Sequence, residues 1–571
     1  MVDAGAVVDL LKDARERRTA PLILELDLTD GIVEGPPADP VSAVVSMRRA
    51  HLRDVLDGLR KGRSDPRVRA LIVRIGGNRL GLAVAQELRA AVQAFRQAGK
   101  LTVAWAESFG ETGRGTVPYY LATAFERIYL QPSGDLALTG VALEEPFFNE
   151  ALEKAGITPR FAKRHEYKTA ANTFMERSYT PEHREMSDRI VSSVGEQVVA
   201  GVAAGRGLSE ERVRELIDRA PLLGSEALEA GLVDRLAYRD EVYAEVRKAA
   251  RGSGADGEVR LRYVARYNRA QSVAKRIPRP QQDVVALIQG HGPIRLGRSG
   301  RSLLPGQSAS IGSDTVAAAF RAAVRDDKVK AIVFRIDSPG GSYVASDTIW
   351  REVVLARKAG KPVIVSMGNV AASGGYFVAA PASTIVAQPG TLTGSIGVVF
   401  GKPVVGDLLE RLGIGLGTVE HGAHARMYAP TRDFTEEEWA RVNIFLDRVY
   451  DDFTGKVAEG RGMPRDRVHE LARGRVWTGA DAHERGLVDE LGGLAYTIDL
   501  ARKKAGLPVD APVRTYPRAT PLDRLRPAES SDDRTAASAR VDAWGPITGI
   551  AARLGLPSGG PLLLPGTWEI R

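Results

Sequence analysis

The chain has no cysteine among its 571 residues and only eight histidines. Disulfide staples and thiolate metal sites are therefore excluded, and no histidine pair has the i, i+4 spacing of a helical zinc site. His421 and His424 come nearest, in a glycine-rich stretch whose one adjacent acid is Glu420. No run approaches the ~18–20 uninterrupted apolar residues of a spanning helix. The N-terminal stretch MVDAGAVVDLLKDARERR mixes acids with bases and lacks the basic, apolar and small-residue regions of a signal peptide. The last apolar piece, GGPLLLPGTW, is short and interrupted by proline. Nor is there a dense basic cluster. The net charge of +8 arises from 79 basic and 71 acidic residues spread along the chain. This pattern suits a solvated surface, leaves room for a peripheral contact with anionic lipid, and gives no reason to expect nucleic acid as a partner. A membrane-associated or cytoplasmic location is expected, with no metal and no cofactor.

What is present is an ordinary globular composition, 44% hydrophobic and 26% charged, in a chain long enough for more than one domain. Short apolar runs alternate with helical patterns. DPRVRALIVRI (Asp65 to Ile75) reads as a turn and buried strand, Leu82 to Ala98 as a helix, and Leu101 to Ala106 as the next strand. This βαβ alternation indicates a parallel sheet covered by helices.

The same text then recurs. DDKVKAIVFRI (Asp326 to Ile336) repeats DPRVRALIVRI, and AGKPVIVSM (Ala359 to Met367) repeats AGKLTVAWA (Ala98 to Ala106). TIVAQPGTLTGSIGV (Thr384 to Val398) repeats RIYLQPSGDLALTGV (Arg127 to Val141), and GLVDEL at Gly486 repeats GLVDRL at Gly231. The offsets stay between 255 and 261 residues. The chain is thus expected to be a tandem duplication of one α/β domain, with a period far too long for a solenoid. The expected divisions are an N-terminal helix over 1–19, a first repeat over 20–250, a linker over 251–283, a second repeat over 284–510 and a C-terminal extension over 511–571. Within the extension, PAESSDDRTAASAR (Pro527 to Arg540) has the composition of a flexible segment.

The two repeats differ where chemistry is concentrated. After a predicted strand from Pro362 to Met367, the second repeat has NVAASGGYF (Asn369 to Phe377), which sets Ser373 at a strand-to-helix turn followed by Gly374 and Gly375. A serine there can be an exposed nucleophile, with helix N–H groups facing it, or simply a helix cap. The first repeat has Thr116 and Val117 at the positions of Ser373 and Gly374, and RIGGNRLG (Arg74 to Gly81) in place of RIDSPGGS (Arg335 to Ser342). The converse asymmetry is RHEYKTAANTF (Arg164 to Phe174), which carries Lys168 where the second repeat has Ala423.

The DSPGG turn, the AASGGY box, TLTGSIG and the YK-x-A element together resemble the signal peptide peptidase A (SppA) family of S49 serine peptidases, in its long double-domain bacterial form. The resemblance runs from about Asp65 to Gly506. It implies a Clp/crotonase-like fold and a Ser/Lys dyad whose nucleophile, Ser373, comes from the second repeat and whose general base, Lys168, comes from the first. Ser395 in TGSIG matches the serine that orients the lysine, and Gly341 and Gly374 match the oxyanion donors. The resemblance further implies hydrophobic peptides, including cleaved signal peptides, as substrates, and a ring- or bowl-shaped homo-oligomer, expected as a tetramer. Whether Lys168 serves Ser373 of its own chain or of a neighbour is open at this point. Three alternatives stand beside this reading: a Ser-His-Asp hydrolase using His421 or His424 with an acid such as Asp337, a crotonase-like acyl-CoA enzyme, and a non-catalytic membrane-associated scaffold.

Overall fold

A computed structural model describes residues 20–35, 49–77, 80–111, 113–251, 259–274, 282–299, 310–517 and the strand at 562–563. The expected helix over 1–19, the segment Pro527 to Arg540 and parts of the linker (252–258 and 275–281) lie outside the described residues. The chain forms two compact units: residues 1–141 with 195–280, and residues 142–194 with 281–571. The expected linker divides the chain in sequence order, whereas the compact units interleave, and 142–194 clusters with the second.

In the first unit a six-stranded parallel sheet runs, edge to edge, Arg235–Leu236, Arg127–Leu130, Leu101–Ala106, Val68–Arg74, Leu22–Asp27 and Arg260–Tyr263. In the second, Glu490–Leu491, Thr384–Ala387, Val363–Ala372, Val329–Ser338, Val284–His291 and Val513–Tyr516 stand in the same order and are likewise parallel. Each of these strands follows its counterpart by 253 to 262 residues. The duplication in the sequence is a duplication of fold. The central strands are Val- and Ile-rich and buried along almost their whole length, as a sheet covered on both faces requires. Burying each such side chain contributes ~1.5–3 kcal/mol.

One branch of the second unit prepares the site. The strand expected to end at Met367 continues through Ala372. Its first half, Ile364 to Ser366, pairs with Thr384–Ala387, and its second half, Val370 to Ala372, pairs with Leu392–Gly394. Leu392–Gly394 in turn pairs antiparallel with Val476–Thr478. The strand therefore runs straight into Ser373, where it gives way to the helix Gly374–Ala379. The first unit carries the same branch, a bridge from Phe109 to Leu136 and an antiparallel pair between Asp135–Leu136 and Leu222–Leu223. A small second sheet orders Ile311–Gly312, Ile294–Arg295, Gly340–Gly341 and Leu562–Leu563.

Candidate active site

Ser373 sits at φ 54° and ψ −115°, a conformation that L-residues other than glycine rarely adopt. Such backbone costs on the order of 1–3 kcal/mol and persists only where surrounding structure enforces it. Here the Ser373 N–H donates to Gly394 O (2.8 Å), and Ser373 O accepts from Phe377 N–H (2.9 Å) in the first turn of the helix. The result is a serine turned out of the strand line at a sharp elbow. Ser395, on the neighbouring branch, is also at positive φ, 49°, and its N–H donates to Arg475 O (2.7 Å).

Lys168 reaches this pair by an arm. The strand Thr158–Lys163 pairs antiparallel with Val399–Val404 over six residue pairs, and Arg164 N–H extends the ladder to Val398 O. The arm thus docks on the chain just beyond Ser395, four residues before Lys168 itself. A turn at Arg473–Arg475 closes over it. Gly474 has φ +89°, and a Cβ there would lie only 2.4–2.5 Å from Lys168 N, Cα and Cβ. Glycine is required at that position by close approach as well as by conformation. Arg473 pairs with Glu166, and Arg475 pairs with Glu185 (2.8 Å) while its guanidinium lies over the rings of Tyr167 and Trp477. The turn is therefore pinned to both sides of the lysine segment.

The Lys168 amine donates to Ser373 Oγ (2.9 Å), to Ser395 Oγ (2.9 Å) and to Ser395 O (3.1 Å). All three side chains are fully buried. Burial alone pushes the Lys168 pKa down from 10.5 to about 7. The penalty of a buried ammonium is what moves it, and no carboxylate pulls it back. Close to half of the lysine is then the neutral amine at pH 7, whereas an ordinary lysine would be neutral in well under one part in a thousand. A buried neutral amine in contact with a serine hydroxyl is the arrangement that lets a lysine take the serine's proton.

Gly341 and Gly374 come together beside this pair. A Cβ on Gly374 would lie 3.1 Å from Gly341 N and 3.2 Å from Gly340 Cα. Gly340 N–H is turned instead to Ser338 Oγ (3.2 Å). The residues proposed for the Ser-His-Asp alternative are not assembled around Ser373. His421 and His424 stand in the exposed run 411–425, and the charged neighbours of His424 are Glu437 and Glu438. Asp337 accepts the Val370 N–H (3.0 Å) and so supports the strand leading to Ser373.

The first unit shows what the repeat looks like without the chemistry. Tyr119 OH donates to Leu232 O (2.6 Å) as Tyr376 OH donates to Leu487 O (2.8 Å), which fixes Thr116 as the counterpart of Ser373. Thr116 Oγ1 donates to Gly140 O (2.9 Å), the carbonyl of a loop glycine, and starts a regular helix. The structure brings together Ser373, Lys168 and Ser395, all three singled out in the sequence, and packs Gly474, which was not, against Lys168. The signal for Gly474 was present: the second repeat reads Arg473-Gly474-Arg475 where the first reads Asp218-Arg219-Ala220.

A buried serine and lysine in hydrogen-bond contact, on a duplicated α/β scaffold, define a serine hydrolase. The model of peptidase family S49 matches residues 94–252 and 355–508, once in each repeat. The chain belongs to that family and is a serine peptidase. It is 32% identical over 480 residues to "Serine protease SPPA, chloroplastic" of Arabidopsis thaliana, covering 83% of this chain and 68% of that protein. It is 29% identical over 485 residues to "Protease 4" of Haemophilus influenzae, covering 82% of this chain and 75% of that one. Among solved structures, a membrane-bound stomatin-specific protease matches at 17% identity with a TM-score of 0.26, over 42% of this chain and 99% of that chain.

Proposed function

We propose that the chain is an endopeptidase in which Ser373 is the nucleophile and Lys168, of the same chain, is the general base. The observation that carries this reading is the buried amine held 2.9 Å from Ser373 Oγ with its pKa lowered to about 7. In the neutral form, two N–H groups donate to Ser395 Oγ and O, which leaves the lone pair facing Ser373. Lys168 takes the Ser373 proton as Oγ attacks the scissile carbonyl, then gives it to the departing amine. The acyl-enzyme is released by a water that Lys168 deprotonates in turn. The N–H groups of Gly341 and Gly374 receive the oxyanion, each such donor contributing ~2.7–4 kcal/mol in acyl-transfer sites. The substrates are hydrophobic peptides, remnant signal peptides among them. Ser373→Ala and Lys168→Ala should each abolish cleavage of an apolar peptide, while His421→Ala and His424→Ala retain it. Full activity of Lys168→Ala, or its loss on His421→Ala, would transfer the base role to the histidine.

We also propose a homo-oligomer, expected as a tetramer, and the repeat supports a specific seam. The arm strand Thr158–Lys163 corresponds to 413–418 in the second repeat, and its partner Val399–Val404 corresponds to 142–147 in the first. Within the chain 413–418 is exposed, with Leu412, Ile414, Leu416 and Val419 open to solvent, and 142–147 belongs to no strand. Pairing 413–418 of one copy with 142–147 of the next repeats the arm contact head to tail, the form of interface that closes into a ring. Peripheral membrane contact is part of the same reading, and no described helix is long and apolar enough to cross a membrane. Light scattering should report the oligomer, and Ile414→Asp with Leu416→Asp should dissociate it; a monomeric parent protein would refute the seam.

A further inference from the structure

Just before Lys168, three consecutive side chains of the arm grip separate pieces of the unit. The Arg164 guanidinium donates to Asn443 O (2.7 Å) and to Asp447 on the helix Glu436–Arg461, and Glu166 pairs with Arg473 in the turn over the lysine. Between them, His165 has φ +64°, a left-handed conformation uncommon outside glycine, and it ends the ladder that Arg164 closes. Its ring lies 4.4 Å, centroid to centroid, from that of Tyr450 on the same long helix. It lies 4.8 Å, edge to face, from that of His469 in the last turn of the helix Arg465–Leu471. Tyr450 Oη and His469 Nδ1 complete the group with a hydrogen bond (2.9 Å). From His469 the chain passes through Ala472, whose N–H donates back to Val468 O (2.8 Å), straight into Arg473-Gly474-Arg475. The three rings therefore join the two pieces of chain that enclose Lys168, the arm on one side and the closing turn on the other.

The surroundings of the group favour an uncharged imidazole. Burial, then the charges of His469, Arg473 and Arg164, hold the His165 pKa below its ordinary value, against the pull of Asp447. Burial pushes Tyr450 up to about 12, so it stays a phenol. His165 is thus neutral in the range where Lys168 becomes the neutral amine, and it meets the other two rings without a charge to desolvate.

We propose that His165 is a positioning residue for the reaction: through Tyr450 and His469 it holds the arm to the closing turn and so keeps the Lys168 amine sealed from water. The inference rests on Lys168 as the general base. Burial alone lowers the pKa of that lysine, so any parting of the two walls that admits water lets it climb back toward 10.5. The loss has a signature. Activity falls at pH 7, where the amine takes up its proton, and returns at pH 9.

The test is the pH dependence of kcat/KM for an apolar peptide between pH 6 and 9.5, in the full-length chain. His165→Asn removes the ring and keeps a residue that tolerates the left-handed conformation. His469→Ala removes the facing ring from an exposed position, where truncation leaves the core intact. In each variant the acid limb should move up by about half to one pH unit, a roughly three- to tenfold loss at pH 7 that is recovered by pH 9. Combining the two should move it no further, since both act through one contact. A loss of the same size at pH 7 and pH 9, additive shifts in the double variant, or a parental profile in His165→Asn overturns the proposal. Hydrolysis persisting in Lys168→Ala would instead overturn the base assignment, by a separate readout.

Discussion

The lowered pKa of Lys168 is a statement about stability as well as catalysis, and it can be tested without any substrate. Lys168 is fully buried, and its pKa falls from 10.5 to about 7 on folding. Below pH 7 the group is protonated in both states and the folded state bears the whole penalty of the buried ammonium. As pH rises above 7 the folded lysine is neutral while the unfolded one still binds its proton, so stability rises at ~1.36 kcal/mol per unit until about pH 10.5. Lys168→Met keeps the length of the side chain and removes the titration. It also leaves Ser373 Oγ, Ser395 Oγ and Ser395 O without the amine, but that loss does not depend on pH. The comparison is therefore the difference in urea unfolding free energy between parent and variant at pH 7 and again at pH 9. Integration over that window gives a relative gain by the parent of about 2 kcal/mol. A difference that is the same at both pH values would show that Lys168 is not held neutral and would refute the reasoning.

Two further outcomes follow from the same geometry. Ser395→Ala removes one of the two Ser395 acceptors that orient the amine and should lower kcat by about ten- to a hundredfold with little change in KM, measured by steady-state hydrolysis of an apolar peptide. Gly474→Ala places a methyl group against the Lys168 backbone and should cost roughly a hundredfold in kcat, the scale of a ~1 Å misplacement of a catalytic group. The same variant should shift the acidic limb of its pH–rate profile, which a merely destabilised but correctly assembled site would leave in place.

Much of the scaffold was legible because it is local or repeated. Val68–Arg74 and Leu101–Ala106 announce themselves as apolar runs between turns, and steady offsets between the halves show that whatever sheet the first half makes, the second makes too. Ser373 and Lys168 stood out because each is missing from the other repeat. The route by which Lys168 meets Ser373 was not legible. It depends on the pairing of Thr158–Lys163 with Val399–Val404, more than 230 residues apart, and neither run has an alternation that names its partner. The extension of the Val363–Ala372 strand had the same cause: Gly368 and Asn369 read as a turn locally, and pairing with Leu392–Gly394 overrides that preference. Gly474 escaped notice since a glycine between two arginines looks like any loop residue until the backbone it faces is known.

The most direct measurement is the rate of acylation of Ser373 by a serine-directed reagent across pH 5 to 9, with the labelled residue located by peptide mapping. The rate should rise about tenfold per pH unit at the acid end and level off above an apparent pKa of about 7, the value burial gives Lys168. In Lys168→Met the label should be lost at every pH. Labelling at another serine, or a rate on Ser373 that still climbs between pH 8 and pH 9 and survives in Lys168→Met, would contradict the assignment of Lys168 as the base.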